Sequence, residues 1–184
     1  EKTNQCHAIA KIAGIKLCEA LFEDHNLDII CLMPTNVYGE KDNFNKIYGH
    51  VIPAVISKIQ EAKKRNEKFV NLLGTGKPLR EFIHADDLAE SIIKCLKTNS
   101  TTLRKKFKKK LPILNVGTNE EITIRDLSKM IAKFIKYRGV IKFDKKSPDG
   151  TFRKGLNSSK IRRLGWYPKI KLVDGLREVI EKRM

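Results

Sequence analysis

The sequence predicts an α/β fold whose β-sheet is mainly parallel. Short apolar segments alternate with longer amphipathic segments along nearly the whole chain, which is the order expected when helices connect parallel strands. A chain of 184 residues, of which 41% are hydrophobic, is large enough to bury a substantial core. We therefore expect one domain, and the sequence shows no internal repeat and no clear linker.

The helices are predicted from apolar spacing and from residues that favour helix ends. Near the N-terminus, Ile9 and Leu17 belong to a set of apolar residues at helical spacing. Pro53 suits the first turn of a second helix, Asp86 the N-terminus of a third, and Thr123 the N-cap of a fourth. The predicted helices cover about residues 4–25, 51–64, 86–96, 123–137, 158–165 and 173–182, with Ser158 or Ser159 capping the fifth.

The strands are predicted from short apolar runs bounded by glycine or proline. The run Ile-Ile-Cys-Leu-Met is ended by Pro34, which indicates a buried parallel strand that leads into a loop. Gly117 closes a later run in the same way. The predicted strands cover residues 28–33, 69–73, 80–84, 112–116 and 140–143.

Positive charge dominates the composition, with a formal net charge of +17. Much of it lies in residues 104–110, which follow a polar stretch and are expected to form an exposed, self-repelling loop. Attraction to nucleic acid is one interpretation. A solvated lysine-rich surface is favoured instead, because no recognised nucleic-acid motif accompanies the charge. A basic protein also suits ligands that carry several phosphates.

The cysteine spacing and the hydropathy argue against a metal-binding protein and against a membrane-spanning one. Cys6, Cys18, Cys31 and Cys95 show no metal-ligand spacing, so we expect no metal site. Cys18 and Cys95 fall among apolar residues and are expected to be buried, reduced thiols in a cytoplasmic protein. No apolar run approaches the roughly 20 residues that a membrane span needs. The chain begins with Glu1, and we expect it to be an excerpt of a longer protein.

Two short patterns suggest ligand chemistry but are weak alone. Residues 74–76, Gly-Thr-Gly, are interpreted as a tight turn, because Pro78 and a strand-like segment follow where a phosphate loop would open a helix. His7 and Lys11 are four residues apart and share one face of the first helix. A lysine beside an acid/base group stabilises its deprotonated form.

Seven sequence blocks together resemble GDP-L-fucose synthases, members of the extended short-chain dehydrogenase/reductase family. One is Ala-Ile-Ala-Lys-Ile-Ala-Gly-Ile-Lys-Leu-Cys-Glu in the first helix, and another is Met-Pro-Thr-Asn-Val-Tyr-Gly after the first strand. The blocks occur in the family's order over essentially the whole chain, at residues 8–19, 33–39, 50–54, 80–87, 115–118, 148–151 and 164–167.

The resemblance implies an architecture and an activity. It implies the C-terminal part of a Rossmann-like parallel sheet, interleaved over residues 1–184 with a smaller α/β substrate-binding domain. Enzymes of this family epimerise GDP-4-keto-6-deoxy-mannose and then reduce the ketone of the epimerised sugar with NADPH, which gives GDP-L-fucose. Its dinucleotide-phosphate-binding segment lies upstream, so we expect incomplete NADP binding by this chain. The family also forms homodimers, so a homodimer is possible here.

The resemblance also implies site residues. Lys11 would contact the nicotinamide ribose and tune the proton donor, and His50 would be the acid in epimerisation and lie close to the cofactor. The nicotinamide end would be lined by Pro34, Thr35, Asn36 and Val37. The GDP-sugar would be contacted by Lys58, Arg80 and Asp149. Without the resemblance, His50 and Asp149 are also compatible with a helix start and a turn.

One position departs from the family's catalytic Tyr-x-x-x-Lys pair, because His7 stands in the place of the tyrosine. Imidazole is shorter than a phenol and has a reference pKa of roughly 6.5 against 10. We therefore expect impaired reduction. A catalytically inactive, truncated paralogue that keeps a GDP-sugar-binding fold is the alternative, and a basic nucleic-acid-binding protein is a weaker one.

Overall fold

A computed structural model describes residues 5–45, 49–108 and 110–183 of the chain. The helices are α1 (Gln5–Asp24), α2 (Val51–Lys64), α3 (Ala85–Leu96), α4 (Ser100–Lys106), α5 (Ile124–Ile135), α6 (Ser159–Arg162) and α7 (Leu172–Glu181). The strands are β1 (Cys31–Pro34), β2 (Asn36–Tyr38), β3 (Phe69–Leu73), β4 (Leu79–His84), β5 (Ile113–Val116), β6 (Glu121–Thr123), β7 (Val140–Asp144) and β8 (Arg153–Lys154). The predicted helices and strands are all present, with ends that differ by a few residues at most.

Strand pairing is mainly parallel, which confirms the predicted α/β class. β1 pairs with β5 and β3 pairs with β7, both in parallel. β4 pairs in parallel with β2 through its second half, while its first half pairs with antiparallel β6 and parallel β8. The division into Rossmann-like and substrate-binding parts stays a prediction.

The prediction of a loop after Pro34 is wrong. The chain passes almost directly from β1 to β2, and only Thr35 lies between the two strands. At this point the backbone changes partners from β5 to β4, and the Thr35 N–H still donates to Val116 O at 3.0 Å. Pro34 has no N–H to donate, so the ladder can be interrupted there without loss of a hydrogen bond.

The buried side chains form two clusters. In the first, α2, α5 and α7 cover strands β3 and β4, and fully buried residues include Ile56, Ile59, Leu127, Ile131 and Leu176. In the second, Leu114 and Val116 of β5 pack with Ile83, Ile161 and Trp166. Burial of such aliphatic side chains contributes roughly 1.5–3 kcal/mol each.

The first helix is confirmed over the described residues, although Asn4 of its predicted range lies outside them. Its predicted apolar face is not buried by this chain, since Ile9, Ile12 and Leu17 are all exposed. The contact that anchors α1 lies near its C-terminal end, where Phe22 is buried.

Capping explains where several helices begin. The Thr123 hydroxyl accepts from the Asp126 N–H at 3.0 Å, as predicted. His84 caps α3 through Nδ1, which accepts from the Asp86 N–H. Ser158 takes the N-cap position of α6, but its side chain makes no cap hydrogen bond.

The prediction that residues 104–110 form an exposed loop is wrong for its first half. Asn99 accepts from the Thr101 N–H at 2.8 Å and so starts α4, while Leu103 is buried beneath it. Arg104 lies over the Phe22 ring at 4.6 Å and pairs with Asp28 at 3.1 Å. Lys109 lies outside the described residues.

Candidate functional site

The carboxyl ends of β1 and β5 form one edge of a candidate ligand site. Pro34 lies opposite Val116 in the parallel register, and both strands end there. Thr35 follows directly and is buried, and its Oγ1 has no hydrogen-bond partner among the described residues. Asn36 is held to the neighbouring strand, because its Nδ2 donates to Glu81 O at 2.8 Å. A polar atom that is buried without a partner is a candidate ligand contact.

Glu81 supports this edge from beneath, and the sequence interpretation missed it. Its side chain is fully buried, and its two carboxylate oxygens accept from the Asn119 N–H at 2.7 Å and the Leu156 N–H at 2.9 Å. A Cβ added at Gly117 would collide with this carboxylate and with Thr35. Glu81 therefore joins the loops after β5 and β8 to β4, beside Thr35. Glu81 belongs to the sequence block at residues 80–87, but nothing in that block marks it as a buried support.

His50 lies at the start of α2 and lines a cavity of about 460 Å³ that Val37 also lines. Its Nδ1 lies 3.2 Å from Asp42 Oδ1. The side chain of His50 is 79% exposed, whereas that of Asp42 is only 13% exposed. Asp42 thus contacts the Nδ1 side of the ring from a mostly buried position. Asp42 has no predicted role in the sequence.

The inner wall of this cavity contains Tyr38, which is buried and packs edge-on against His84 with ring centroids 5.2 Å apart. Burial, with the nearby Asp87 carboxylate, raises the pKa of Tyr38 well above its usual range, so the phenol stays protonated. The Asp87 carboxylate accepts from the backbone N–H groups of Lys169 and Ile170, both at 2.9 Å.

An ion-pair bridge closes the rim of the same cavity. Lys182 Nζ contacts Glu178 at 2.7 Å and Glu40 at 2.9 Å, which links α7 to the segment after β2. Hydrogen bonds from Lys182 lower the pKa of both carboxyls. All three side chains are substantially exposed, so salt will weaken the bridge.

Arg80 lies beside the segment 149–151, which contains Asp149. Thr75 donates to Asp149 twice, from its backbone N–H at 2.8 Å and from Oγ1 at 2.6 Å. These bonds lower the pKa of the Asp149 carboxyl, the side-chain bond most strongly. Arg80 Nη1 donates to the carbonyls of Leu79 and Thr151, both at 2.7 Å. Gly74 and Gly76 both have positive φ, in keeping with the predicted tight turn between strands.

Three predicted site residues lie apart from the groups around His50 and around Arg80. No hydrogen bond or ion pair between described residues joins them to either group. Lys58 lines a separate surface depression between α2 and β3, of about 270 Å³. His7 and Lys11 lie on the exposed N-terminal half of α1. The roles assigned to these three residues stay predictions.

The described residues contain neither a metal-binding group nor a membrane-spanning helix. No group of three or more His, Cys, Asp or Glu among them is arranged to hold a metal ion. None of the helices described combines the length and the apolar character that crossing a membrane requires. The four cysteines are free thiols; Cys95 is buried as predicted, whereas Cys18 is only half-buried. Burial raises the pKa of Cys95.

Comparison with known proteins identifies the family. Residues 1–117 match the profile of the NAD dependent epimerase/dehydratase family. The chain belongs to this family. The family's dependence on a nicotinamide cofactor agrees with the predicted NADP, and the match confirms the family to which the sequence blocks pointed.

Similar proteins act on GDP-sugars, according to their names. The chain is 44% identical over 178 residues to a probable GDP-L-fucose synthase of Oryza sativa subsp. japonica, a match that covers 97% of the chain and 52% of the relative. It is 43% identical over 176 residues to GDP-L-fucose synthase of Escherichia coli K12, covering 96% of the chain and 55% of the relative. The chain therefore spans about half the length of the curated relatives it matches.

Solved structures show the same fold. A GDP-6-OMe-4-keto-L-xylo-heptose reductase from C. jejuni superposes with a TM-score of 0.86 at 31% identity, covering 95% of this chain and 59% of that one. A GDP-D-glycero-L-gluco-heptose synthase from Campylobacter jejuni, crystallised in the presence of NADPH, gives 0.84 at 30% identity, covering 98% and 61%. These likenesses confirm the Rossmann-like α/β class.

Proposed function

We propose that the chain carries the nucleotide-sugar half of an NADPH-dependent enzyme that epimerises and reduces GDP-4-keto-6-deoxy-mannose to GDP-L-fucose. The observation that carries the proposal is the meeting of Arg80 with the turn that contains Asp149. The resemblance assigns both residues to the GDP-sugar, and they are far apart in sequence. The similarity to named GDP-L-fucose synthases over nearly the whole chain supports the same substrate class.

Arg80 is suited to the diphosphate. Its Nη1 is anchored to two backbone carbonyls, which fixes the plane of the guanidinium. A planar fork held in this way can donate to two phosphate oxygens at once. Gly150 keeps the approach open, since a Cβ there would lie 3.3 Å from Nη2. Asp149, with Thr75 as its hydrogen-bond donor, holds this turn in place and in our proposal also contacts the GDP-sugar. Lys58 would add a further positive charge.

His50 is the acid that the proposal assigns to epimerisation. The reaction requires an acid and a base on opposite faces of the carbon, and stabilisation of the enolate that forms between the two proton transfers. Contact with Asp42 orients the imidazole and commits Nδ1, so Nε2 delivers the proton. The partly enclosed cavity beside His50 offers room for a sugar ring.

The nicotinamide end of NADP fits the carboxyl edge of β1. The unpartnered Thr35 Oγ1 offers a buried polar contact there, beside Pro34, Asn36 and Val37. Lys11 would hold the ribose. The cofactor, when bound, supplies the hydride for reduction. His7 would donate the proton to the ketone oxygen, and we propose that it does so poorly because imidazole is shorter than the family's phenol.

Titration calorimetry with GDP tests the proposal. We expect Arg80→Gln to weaken GDP binding by about tenfold or more, the effect of one lost charge-assisted contact of about 1.5–3 kcal/mol. Arg138→Gln, an exposed arginine outside the cavities lined by the site residues, is the matched control and should bind like the parent chain. Equal binding of GDP by the parent and the Arg80 variant would overturn the proposal. GDP-sugar binding without turnover, after the chain is joined to the family's N-terminal half, would favour the inactive paralogue.

A further inference from the structure

Positive charge is concentrated in two segments of the chain. Residues 91–119 contain eight Lys and Arg and no Asp or Glu, and residues 150–173 contain seven Lys and Arg and no Asp or Glu. Since the formal net charge is +17, the remainder of the chain is close to neutral. The excess charge is therefore a local feature and not a general property of the surface.

The tertiary structure places parts of these two segments side by side. Lys106 Nζ of α4 donates to Arg163 O, just after α6, at 3.0 Å. The Lys160 ammonium of α6 lies 5.8 Å from the centre of the Phe107 ring. We call the result the α4–α6 basic surface, which consists of the exposed residues Lys105, Lys106, Lys108, Lys110, Lys160 and Arg163.

The charges of the α4–α6 basic surface are not neutralised within the part of the chain that the structure describes. Ion pairs in the two basic segments engage, among others, Arg104, Arg153 and Lys169, and none of these three belongs to the surface. Six cations on α4, on α6 and on the residues just after these helices repel one another, and a bound polyanion would relieve that repulsion.

The α4 part of the surface lies away from the proposed nicotinamide edge. Arg104 donates to Asn26 O, which lies before β1, and Pro112 O accepts from the Cys31 N–H at the start of β1 and β5. The C-terminal half of α4 and the residues after it therefore lie toward the amino ends of these strands. Thr35 lies at their carboxyl ends. A ligand on α4 would leave this edge open.

We propose that the α4–α6 basic surface binds nucleic acid through its phosphate backbone. The exposed side chains of α4 are Thr101, Thr102, Lys105 and Lys106, so the helix lacks the apolar face with which interfacial helices enter a membrane. A line of phosphates can contact cations on both elements at once. Because backbone contacts carry no sequence information, the binding is independent of base sequence and sensitive to salt.

Fluorescence anisotropy with a labelled single-stranded RNA of about 20 nucleotides and mixed sequence tests this surface. Four neutralised phosphates would weaken binding about 50-fold between 50 and 200 mM salt. We expect the triple variant Lys105→Glu, Lys110→Glu, Lys160→Glu to bind at least about tenfold more weakly at the lower salt and to show a shallower salt dependence.

The matched control carries Lys64→Glu, Lys68→Glu and Lys133→Glu, which alter net charge equally at exposed lysines elsewhere. Its affinity for the RNA should stay within about threefold of the parent chain's affinity, because salt screens charges that lie far from the binding surface. Circular dichroism establishes that each variant is folded. Equal losses in both triple variants, or no RNA binding by the parent chain at the lower salt, would overturn the proposal. So would binding to vesicles that contain phosphatidylserine without binding to RNA.

Discussion

Replacing Glu81 by glutamine tests whether the buried carboxylate holds the site together. The carboxylate accepts two backbone N–H groups, at 2.7 and 2.9 Å, and each hydrogen bond to a charged group contributes about 1.5–3 kcal/mol. Glutamine keeps one acceptor oxygen but turns an NH₂ group toward the other donor. One of the N–H groups of Asn119 and Leu156 then faces an NH₂ group and loses its acceptor. We expect Glu81→Gln to lower the free energy of unfolding by about 3 kcal/mol.

Urea denaturation measures this change, with tryptophan fluorescence as the signal. Trp166 is the single tryptophan of the chain and is buried in the second cluster, so its emission reports global unfolding. Glu120→Gln makes the same chemical change at an exposed neighbouring position and should alter stability by no more than about 0.5 kcal/mol. If Glu81→Gln unfolds at the same urea concentration as the parent chain or at a higher one, desolvation of the carboxylate outweighs its hydrogen bonds and the reasoning fails.

The remaining predictions concern the proton donor and the turn that carries Asp149. When this chain is joined to the family's N-terminal half, His7→Tyr should raise the rate of NADPH consumption with the GDP-4-keto-sugar by about 100-fold or more, which is the usual contribution of a positioned general acid. The control variant His25→Tyr should leave this rate unchanged. An unaltered rate in the His7 variant would contradict the role given to that residue. The Asp149 pKa is lowered in the folded chain, so its contact with Thr75 stabilises the turn above the unfolded pKa of about 3.9 and is lost as pH falls through the folded value. Thr75→Val removes the stronger of the two hydrogen bonds and should raise the Asp149 pKa in an NMR titration of its carboxyl carbon, whereas an unmoved midpoint would show that Oγ1 does not hold the carboxylate.

The longer elements could be predicted because their signals are local. Thr123 sits at the N-cap of α5, and the helix begins at the next residue. Strands β2, β6 and β8 have three residues or fewer, and they exist because β4 pairs with each of them. No periodicity can be detected in so short a segment. Helix α4 was missed because the burial of Leu103 depends on residues that are distant in sequence.

The site residues also fall into those that could be predicted from the sequence and those that could not. Arg80, Asp149 and His50 were predicted from sequence blocks that resemble a family, and the structure places Arg80 and Asp149 together. Glu81 and Asp42 could not be predicted as supports for the site. Their roles depend on backbone N–H groups and on a ring that only folding brings within reach.

By itself, the sequence determined the α/β class, the long helices and the family, because apolar spacing, capping residues and ordered motifs are properties of neighbouring residues. It also placed the positive charge in two segments of the chain. Only the tertiary structure decided which of these features meet. It joined the two basic segments through Lys106 and Arg163, set Asp42 against His50, and enclosed Glu81 between two loops. The physical reason is that hydrogen bonds and burial act over a few ångströms in space, whatever the separation along the chain.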